Sequence, residues 1–255
     1  EEIRERTAEA LETVQLSGYE KRFPSQLSGG QQQRIAIART LITRPKLLLM
    51  DEPLSNLDAK LREEMRGFIT ELQKSLNITT LFVTHDQIEA IELADHIGLM
   101  FAGEMVQYGT PEDIFNRPLT PEIADFMGAT NLIQGTVSKT NGSGCEVSID
   151  NNSIWVETER KYEIGSDITL TIRPEHMEFF TPNDRAAPTE NMLPARITEV
   201  VYHGGTVSYY TESGNIQLQT RQRSTKTFSA GSDISIHLPS RHLWVFPKRA
   251  VGTPF

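Results

Sequence analysis

The apolar run Leu47–Met50 ends abruptly in two carboxylates, Asp51 and Glu52. Ligands of open α/β sheets gather at the C-terminal ends of strands. Neighbouring strand side chains point to opposite faces, so adjacent acids there can hold different roles. One can face a bound divalent cation, directly or through its water; the other can orient or deprotonate an attacking water. A second apolar run, Leu81–Val83, is followed by Thr84 and His85. If the two runs are neighbouring parallel strands, His85 and Glu52 share one edge, where a neutral imidazole can donate a hydrogen bond to a phosphate oxygen. A third place is the stretch LSGGQQQR, Leu27–Arg34. Ser28 is a good N-cap, and a helix start presents unpaired N–H groups and partial positive charge. Gly29 and Gly30 remove the side chains that would hold an anion away from those groups, so a terminal phosphate is the expected visitor. Taken one at a time, a solvated acidic strand end and a satisfied structural histidine remain the alternatives.

The surrounding pattern supplies the elements that must position these groups. From Ser28 a helix runs through Ile35, Ile37, Ala38 and Leu41 and stops before Pro45. Leu57, Leu61, Met65, Phe68 and Leu72 recur at helical spacing between the two apolar runs. Strand, helix, strand is the βαβ unit of an α/β sheet, and the unbroken apolar runs predict strands buried on both faces. Near residue 130 the character changes. Short alternating segments such as CEVSID, DITLTI, RITEVV, TVSYY and NIQLQT, separated by Gly- and Asn-rich turns, predict an all-β, barrel-like half. This half repeats itself: residues 165–180 align without gaps on 231–246, sharing Gly, Ser, Asp, Ile, His and Phe at matching places. Two related β units in tandem are expected.

Bulk properties narrow the function classes. Formal net charge is −9, which argues against a general binder of phosphate backbones. Cys145 is the single cysteine, so no internal disulfide framework forms. No apolar run approaches the ~20 residues needed to cross a bilayer. The chain opens EEIRERTAEALETVQL, without Met and already in helical pattern; the expectation is a cut end, the later part of something longer.

Together these pieces resemble the ATP-binding-cassette (ABC) ATPases, in motif order and in spacing. LSGGQQQR is similar to the family signature, LLLMDEP to its Walker B strand, Ser55–Asp58 to its D-loop and Thr84–His85–Asp86 to its switch-histidine loop. By that resemblance the cofactors are ATP and Mg²⁺. Asp51 serves Mg²⁺, Glu52 the attacking water and His85 the γ-phosphate. Ser28, Gly29, Gly30 and Gln31 belong to the signature that meets a nucleotide held by a second subunit, and Asp58 sits at the subunit junction. The family's phosphate loop, G-x-x-x-x-G-K-[ST], has no counterpart, because no Gly-Lys pair occurs in the sequence. The expected chain is a partial P-loop NTPase with a parallel sheet over 1–128, cut inside the helical subdomain and inactive alone. A tandem OB-like domain is expected over 129–255.

The β half sharpens the resemblance. NLIQGTV (131–137), IRPEH (172–176) and the repeat are similar to the C-terminal TOBE domain of bacterial importer ATPases, and 94–128 is similar to their linking segment. The TVSYY and HLWVFP stretches lie closer to the polyamine and ferric-iron branch than to the sugar branch. The partners this implies are a second copy of the nucleotide-binding subunit, transmembrane permease subunits and, indirectly, an extracytoplasmic solute-binding protein, at the cytoplasmic face of the inner membrane. An OB-like barrel raises a second reading, a nucleic-acid module, which needs a basic groove with stacking aromatics. Residues 129–255 carry 12 Lys+Arg against 13 Asp+Glu, a net of −1, and no nucleic acid is expected. A third reading, an ATPase of DNA repair or translation, is disfavoured because 1–128 shows no long coiled-coil insertion. A regulatory role for the β half and a dimer-stabilising one remain alternatives.

Overall fold

The computed structural model describes the chain apart from residues 129, 130, 182, 183, 185, 186, 226 and 249–255. It divides into two compact units, Glu1–Ile114 and Phe115–Phe255, a division that falls ahead of the change in composition near residue 130.

The first unit runs α1 (Glu2–Thr13), α2 (Gly29–Leu41), β1 (Leu47–Asp51), α3 (Ala59–Leu76), β2 (Thr79–Val83), α4 (Gln87–Leu93), β3 (Ile97–Phe101) and β4 (Glu104–Gly109). Helix α3 has the apolar stripe its spacing predicts, burying Met65, Phe68, Ile69 and Leu72. It ends on Asn77 in the left-handed conformation, φ 47°, a residue type that tolerates this cap. The buried cluster joins this stripe to Ile37 and Ala38 of α2, Leu48 and Met50 of β1, and Leu54. Strands β1 and β2 are parallel in the register Leu47↔Thr79 through Asp51↔Val83. That register carries Glu52 and His85 to the same end of the pair.

Strands buried on both faces were predicted, yet Leu47, Leu49, Leu81 and Val83 are exposed at 49%, 64%, 58% and 50%. The physical reason is the strand period of two: the buried cluster covers the face carrying Leu48 and Met50, and alternate residues turn the other way.

Among the described residues the second unit holds two five-stranded antiparallel sheets. One has the order β14-β8-β5-β6-β7 and the other β12-β11-β10-β13-β9. In sequence these are β5 (Asn131–Asn141), β6 (Gly144–Ile149), β7 (Asn152–Glu157), β8 (Asp167–Ile172), β9 (Glu178–Phe180), β10 (Met192–Tyr202), β11 (Thr206–Ser213), β12 (Ile216–Arg223), β13 (Asp233–His237) and β14 (Trp244–Pro247). The tandem repeat is therefore present with its last strands exchanged. Strand β9 of the first copy pairs β13 of the second, and β14 of the second copy pairs β8 of the first.

Two buried asparagines stitch the copies reciprocally. Asn131 donates to Ile172 O and Gln219 O and accepts from Gln219 N. Asn191 donates to Leu238 O and Trp155 O and accepts from Trp155 N. Buried amides so paired hold strand edges together without leaving orphaned groups. One apolar cluster, including Ile133, Val147, Leu170, Leu193, Tyr209 and Ile236, runs through both copies. His176 and His242, the histidine shared by the two copies, stack with ring centres 4.0 Å apart.

Candidate functional site

The strand-end edge is built by register. After Asp51 the chain leaves β1 in a turn: Glu52 N donates to Val83 O at 2.8 Å, and Glu52 has φ 43°. A non-glycine residue at positive φ is uncommon and re-aims the side chain relative to a continuing strand. The turn closes with Ser55, whose N–H and hydroxyl both donate to Glu52 O, at 3.3 and 3.0 Å. From this position Glu52 Oε1 lies 3.0 Å from His85 Nδ1, with both side chains exposed. A contact of that length between a carboxylate and a ring nitrogen places a proton on Nδ1. The neutral ring then has only an acceptor at Nε2. Donation from Nε2 to a phosphate oxygen requires the doubly protonated ring, or release of Glu52. Asp51 closes the strand beside them, also exposed.

The residues flanking His85 are held firmly. Thr84 Oγ1 donates to the carboxylate of buried Glu89 at 2.6 Å and accepts from Asp86 N at 3.0 Å. Asp86 caps α4, accepting from Ile88 N and Glu89 N.

The second cluster is the start of α2. Ser28 accepts from Gln31 N at 3.4 Å, and the Gln31 side chain accepts from Ser28 N at 3.0 Å, closing a reciprocal capping box. Gln31 also reaches the Tyr19 hydroxyl at 3.4 Å, so its amide is committed to building the helix start. Gln32 fastens the preceding turn, donating to Pro24 O and Leu27 O. Arg34 donates to Val14 O and Gln15 Oε1 and lies 4.0 Å over the Phe68 ring.

The two glycines do different things. Gly29 is exposed, and a Cβ there would meet Leu57 at 3.4 Å, an ordinary contact. Gly30 is buried, and a Cβ there would come within 2.7 Å of Leu61 Cδ1. Gly29 leaves the helix start open to an incoming group, whereas Gly30 makes room for the Leu61 side chain of α3 against the start of α2. Asp58 caps α3, accepting from Leu61 N at 3.0 Å. The structure thus gathers Asp51, Glu52 and His85 at one strand-end edge and sets Ser28–Gln31 and Asp58 at the starts of two packed helices. Sequence reasoning passed over Arg62, which bonds both Leu57 O and Asp86; its place one helical turn beyond the Asp58 cap was the available signal.

An exposed carboxylate beside the strand end suits Mg²⁺ through water, and the open helix start suits an anion. A Gly-Lys phosphate grip is not among the residues of this sequence, so the residues present fit part of a nucleotide site.

Known proteins resemble this chain in two segments. Residues 2–55 match the ABC transporter family and residues 170–246 the TOBE domain family; the first match takes in Ser28–Gln31, Asp51 and Glu52 and ends before Asp58 and His85. A spermidine/putrescine import ATP-binding protein of Legionella pneumophila (strain Philadelphia 1) is 39% identical over 218 residues, covering 85% of this chain and 60% of that protein. One of the same name from Acetivibrio thermocellus is 37% identical over 246 residues, covering 96% of this chain and 66% of that protein. The chain therefore spans less than two thirds of the length of the curated relatives it matches. A solved ATP-binding cassette of an ABC transporter, in its ADP conformation, is 31% identical with a TM-score of 0.44, covering 48% of this chain and 50% of that one. Among the described residues no helix is long and apolar enough to cross a membrane.

Proposed function

We propose that this chain, which carries an ABC transporter segment followed by a TOBE domain, is the signature-bearing part of an ATP-hydrolysing subunit of a binding-protein-dependent importer. Polyamine is the preferred solute, on the strength of the relatives' names. The observation that carries the reading is the edge where Glu52 and His85 meet at 3.0 Å beyond two parallel strands.

ATP with Mg²⁺ supplies the scissile phosphoanhydride and its charge neutralisation. The rest falls to named side chains. Asp51 holds the cation, through water or directly. Glu52 accepts a proton from the attacking water, general-base help typically worth ~10²–10⁴-fold. His85, set by its bonded neighbours Thr84 and Asp86, offers a ring N–H to the γ-phosphate when Glu52 releases it to take up the attacking water, or from the doubly protonated ring while Glu52 still holds Nδ1. The start of α2, kept open at Gly29, offers N–H groups and the positive end of the helix dipole to the γ-phosphate of a nucleotide held mainly by a second subunit. Asp58 lies at that junction, and the assembly docks on permease subunits at the cytoplasmic face of the inner membrane.

Titration of this chain with a fluorescent ATP analogue tests the division of labour. No binding at micromolar concentration is expected, while a full-length subunit binds and hydrolyses ATP. Micromolar binding by this chain alone would refute it. Co-purification with a permease supports the importer reading; co-purification with nucleic acid would replace it.

A further inference from the structure

We propose that Arg62 is a positioning residue that ties the turn 55–58 to the loop carrying His85, so that the two move together. Arg62 stands in the first turns of α3. One end of its guanidinium donates to Leu57 O at 3.2 Å, within that turn. The other end donates to Asp86 Oδ2, also at 3.2 Å. Its Nε is buried without a hydrogen bond and faces Glu89 Oε1 at 3.9 Å. Glu89 is 3% exposed and holds Thr84 through its other oxygen at 2.6 Å. Both neighbours of His85 are therefore fastened to one network, Asp86 directly by Arg62 and Thr84 by the carboxylate that Arg62 faces.

The chemistry explains the residue type. A planar fork reaches a carbonyl and a carboxylate in different directions at once; an ammonium is a single point. The carboxylate of Glu89 sits in the interior beside a guanidinium, as a buried charge must. At 3.9 Å, Arg62 Nε and Glu89 Oε1 form an ion pair longer than a hydrogen bond. A shift of α4 against α3 changes that gap and carries Thr84, His85 and Asp86 along. Displacement of the turn 55–58 acts on the same guanidinium through Leu57 O. A subunit contact at Asp58 is thereby transmitted to His85. The clamp stands on the contacts alone; its consequence for hydrolysis rests on the function proposed above, and the two are tested separately.

In this chain, ring resonances of His85, assigned with a His85→Gln variant, are recorded for Arg62→Gln and Arg66→Gln. Arg66 pairs with Glu92 at 2.6 Å on the same two helices and serves as the control. Arg62→Gln is expected to shift the His85 signals and Arg66→Gln to leave them in place. Asp86→Asn keeps a capping side chain while weakening the Arg62 arm, and is expected to shift them too, which covers the case of an Arg62 variant that does not fold. In the full-length subunit, Arg62→Gln is expected to lower kcat about tenfold with KM for ATP changed less than about twofold. In a His85→Ala background the same change is expected to cost less than about twofold, because residues acting through one another are not additive. Unmoved His85 signals in both Arg62→Gln and Asp86→Asn overturn the clamp. An equal fall in kcat with and without His85 overturns its role in hydrolysis, and a full-length subunit without ATPase activity overturns the proposed function while leaving the resonance test standing.

Discussion

Glu52 Oε1 and His85 Nδ1 meet at 3.0 Å although 33 positions separate them in sequence. Parallel pairing of β1 with β2 brings them to one edge, and the left-handed turn at Glu52 aims the carboxylate at the ring. Both groups are exposed, so the pair contributes little to stability and its value is in orientation. Glu52→Gln in the full-length subunit should retain ATP binding and lose ~10²–10⁴-fold in kcat, with thermal stability essentially unchanged. Turnover and melting temperature measured side by side check this; unchanged turnover removes Glu52 from the proposed role.

Gly30 and Gly29 should respond differently to the same substitution. A Cβ at position 30 lands 2.7 Å from Leu61 Cδ1, whereas at 29 the nearest atom is at 3.4 Å. Overpacking costs ~1–3 kcal/mol, against a helix-propensity gain for Ala of up to ~1 kcal/mol. Gly30→Ala should therefore destabilise the first unit by about 1 kcal/mol, and Gly29→Ala should not. In a Leu61→Ala background the sign should reverse for Gly30→Ala, since only the propensity gain remains. Urea unfolding of the four variants reads this directly.

The stacked pair His176–His242 predicts a pH dependence. Burial holds both imidazoles below their ordinary value, and the neighbouring Arg241 acts in the same direction on each. Between the folded values and about 6.5 the unfolded chain binds more protons than the folded one, so stability rises with pH through that window and is lost as pH falls through it. His242→Phe keeps an aromatic partner for His176 and removes one titrating group. Its melting temperature should fall less than that of the parent between about pH 7 and about pH 5. An equal fall would show that the pair is not the source.

Cys145 is 1% exposed and burial pushes its thiol up. A protonated, covered sulfur is a poor nucleophile. Reaction with an aromatic disulfide reagent should be slow in the folded protein and fast in urea; rapid labelling of folded protein would contradict the packing of β6.

Much of this arrangement was legible in the residues, for physical reasons that also mark where legibility ends. Apolar runs closed by polar residues give a strand end, and strands joined through one helix give a parallel pair, so Asp51, Glu52 and His85 fall on one edge before any coordinate is known. Ser28 announces an N-cap by residue type, while the reciprocal bond from Gln31 that completes a capping box emerged only in the structure. Gly30 was read as clearance for an anion because a pattern along one helix says nothing of the helix beside it; Leu61 supplies its reason. Leu49 and Leu81 belong to unbroken apolar runs, and a run specifies hydrophobicity on both faces without specifying what covers them. The exchange of β9 and β14 was hidden for a similar cause: the repeat fixes that two copies exist, but pairing of Ile236 with Phe179 rather than with its own copy's last strand is a tertiary choice. Arg62 was missed because its partners, Leu57 O and Asp86, become neighbours only in the fold.

The most direct measurement is ATP-dependent dimerisation of the full-length subunit, followed by analytical ultracentrifugation. Glu52→Gln should sediment as a dimer with ATP and Mg²⁺ and as a monomer without them, because a slowed hydrolysis preserves the nucleotide between the subunits. Adding Ser28→Arg, which puts bulk where the capping box now leaves the start of α2 open, should abolish the dimer while each monomer still binds ATP. A double variant that dimerises with ATP as readily as Glu52→Gln alone would contradict the claim that this helix start closes over a phosphate held by the other subunit.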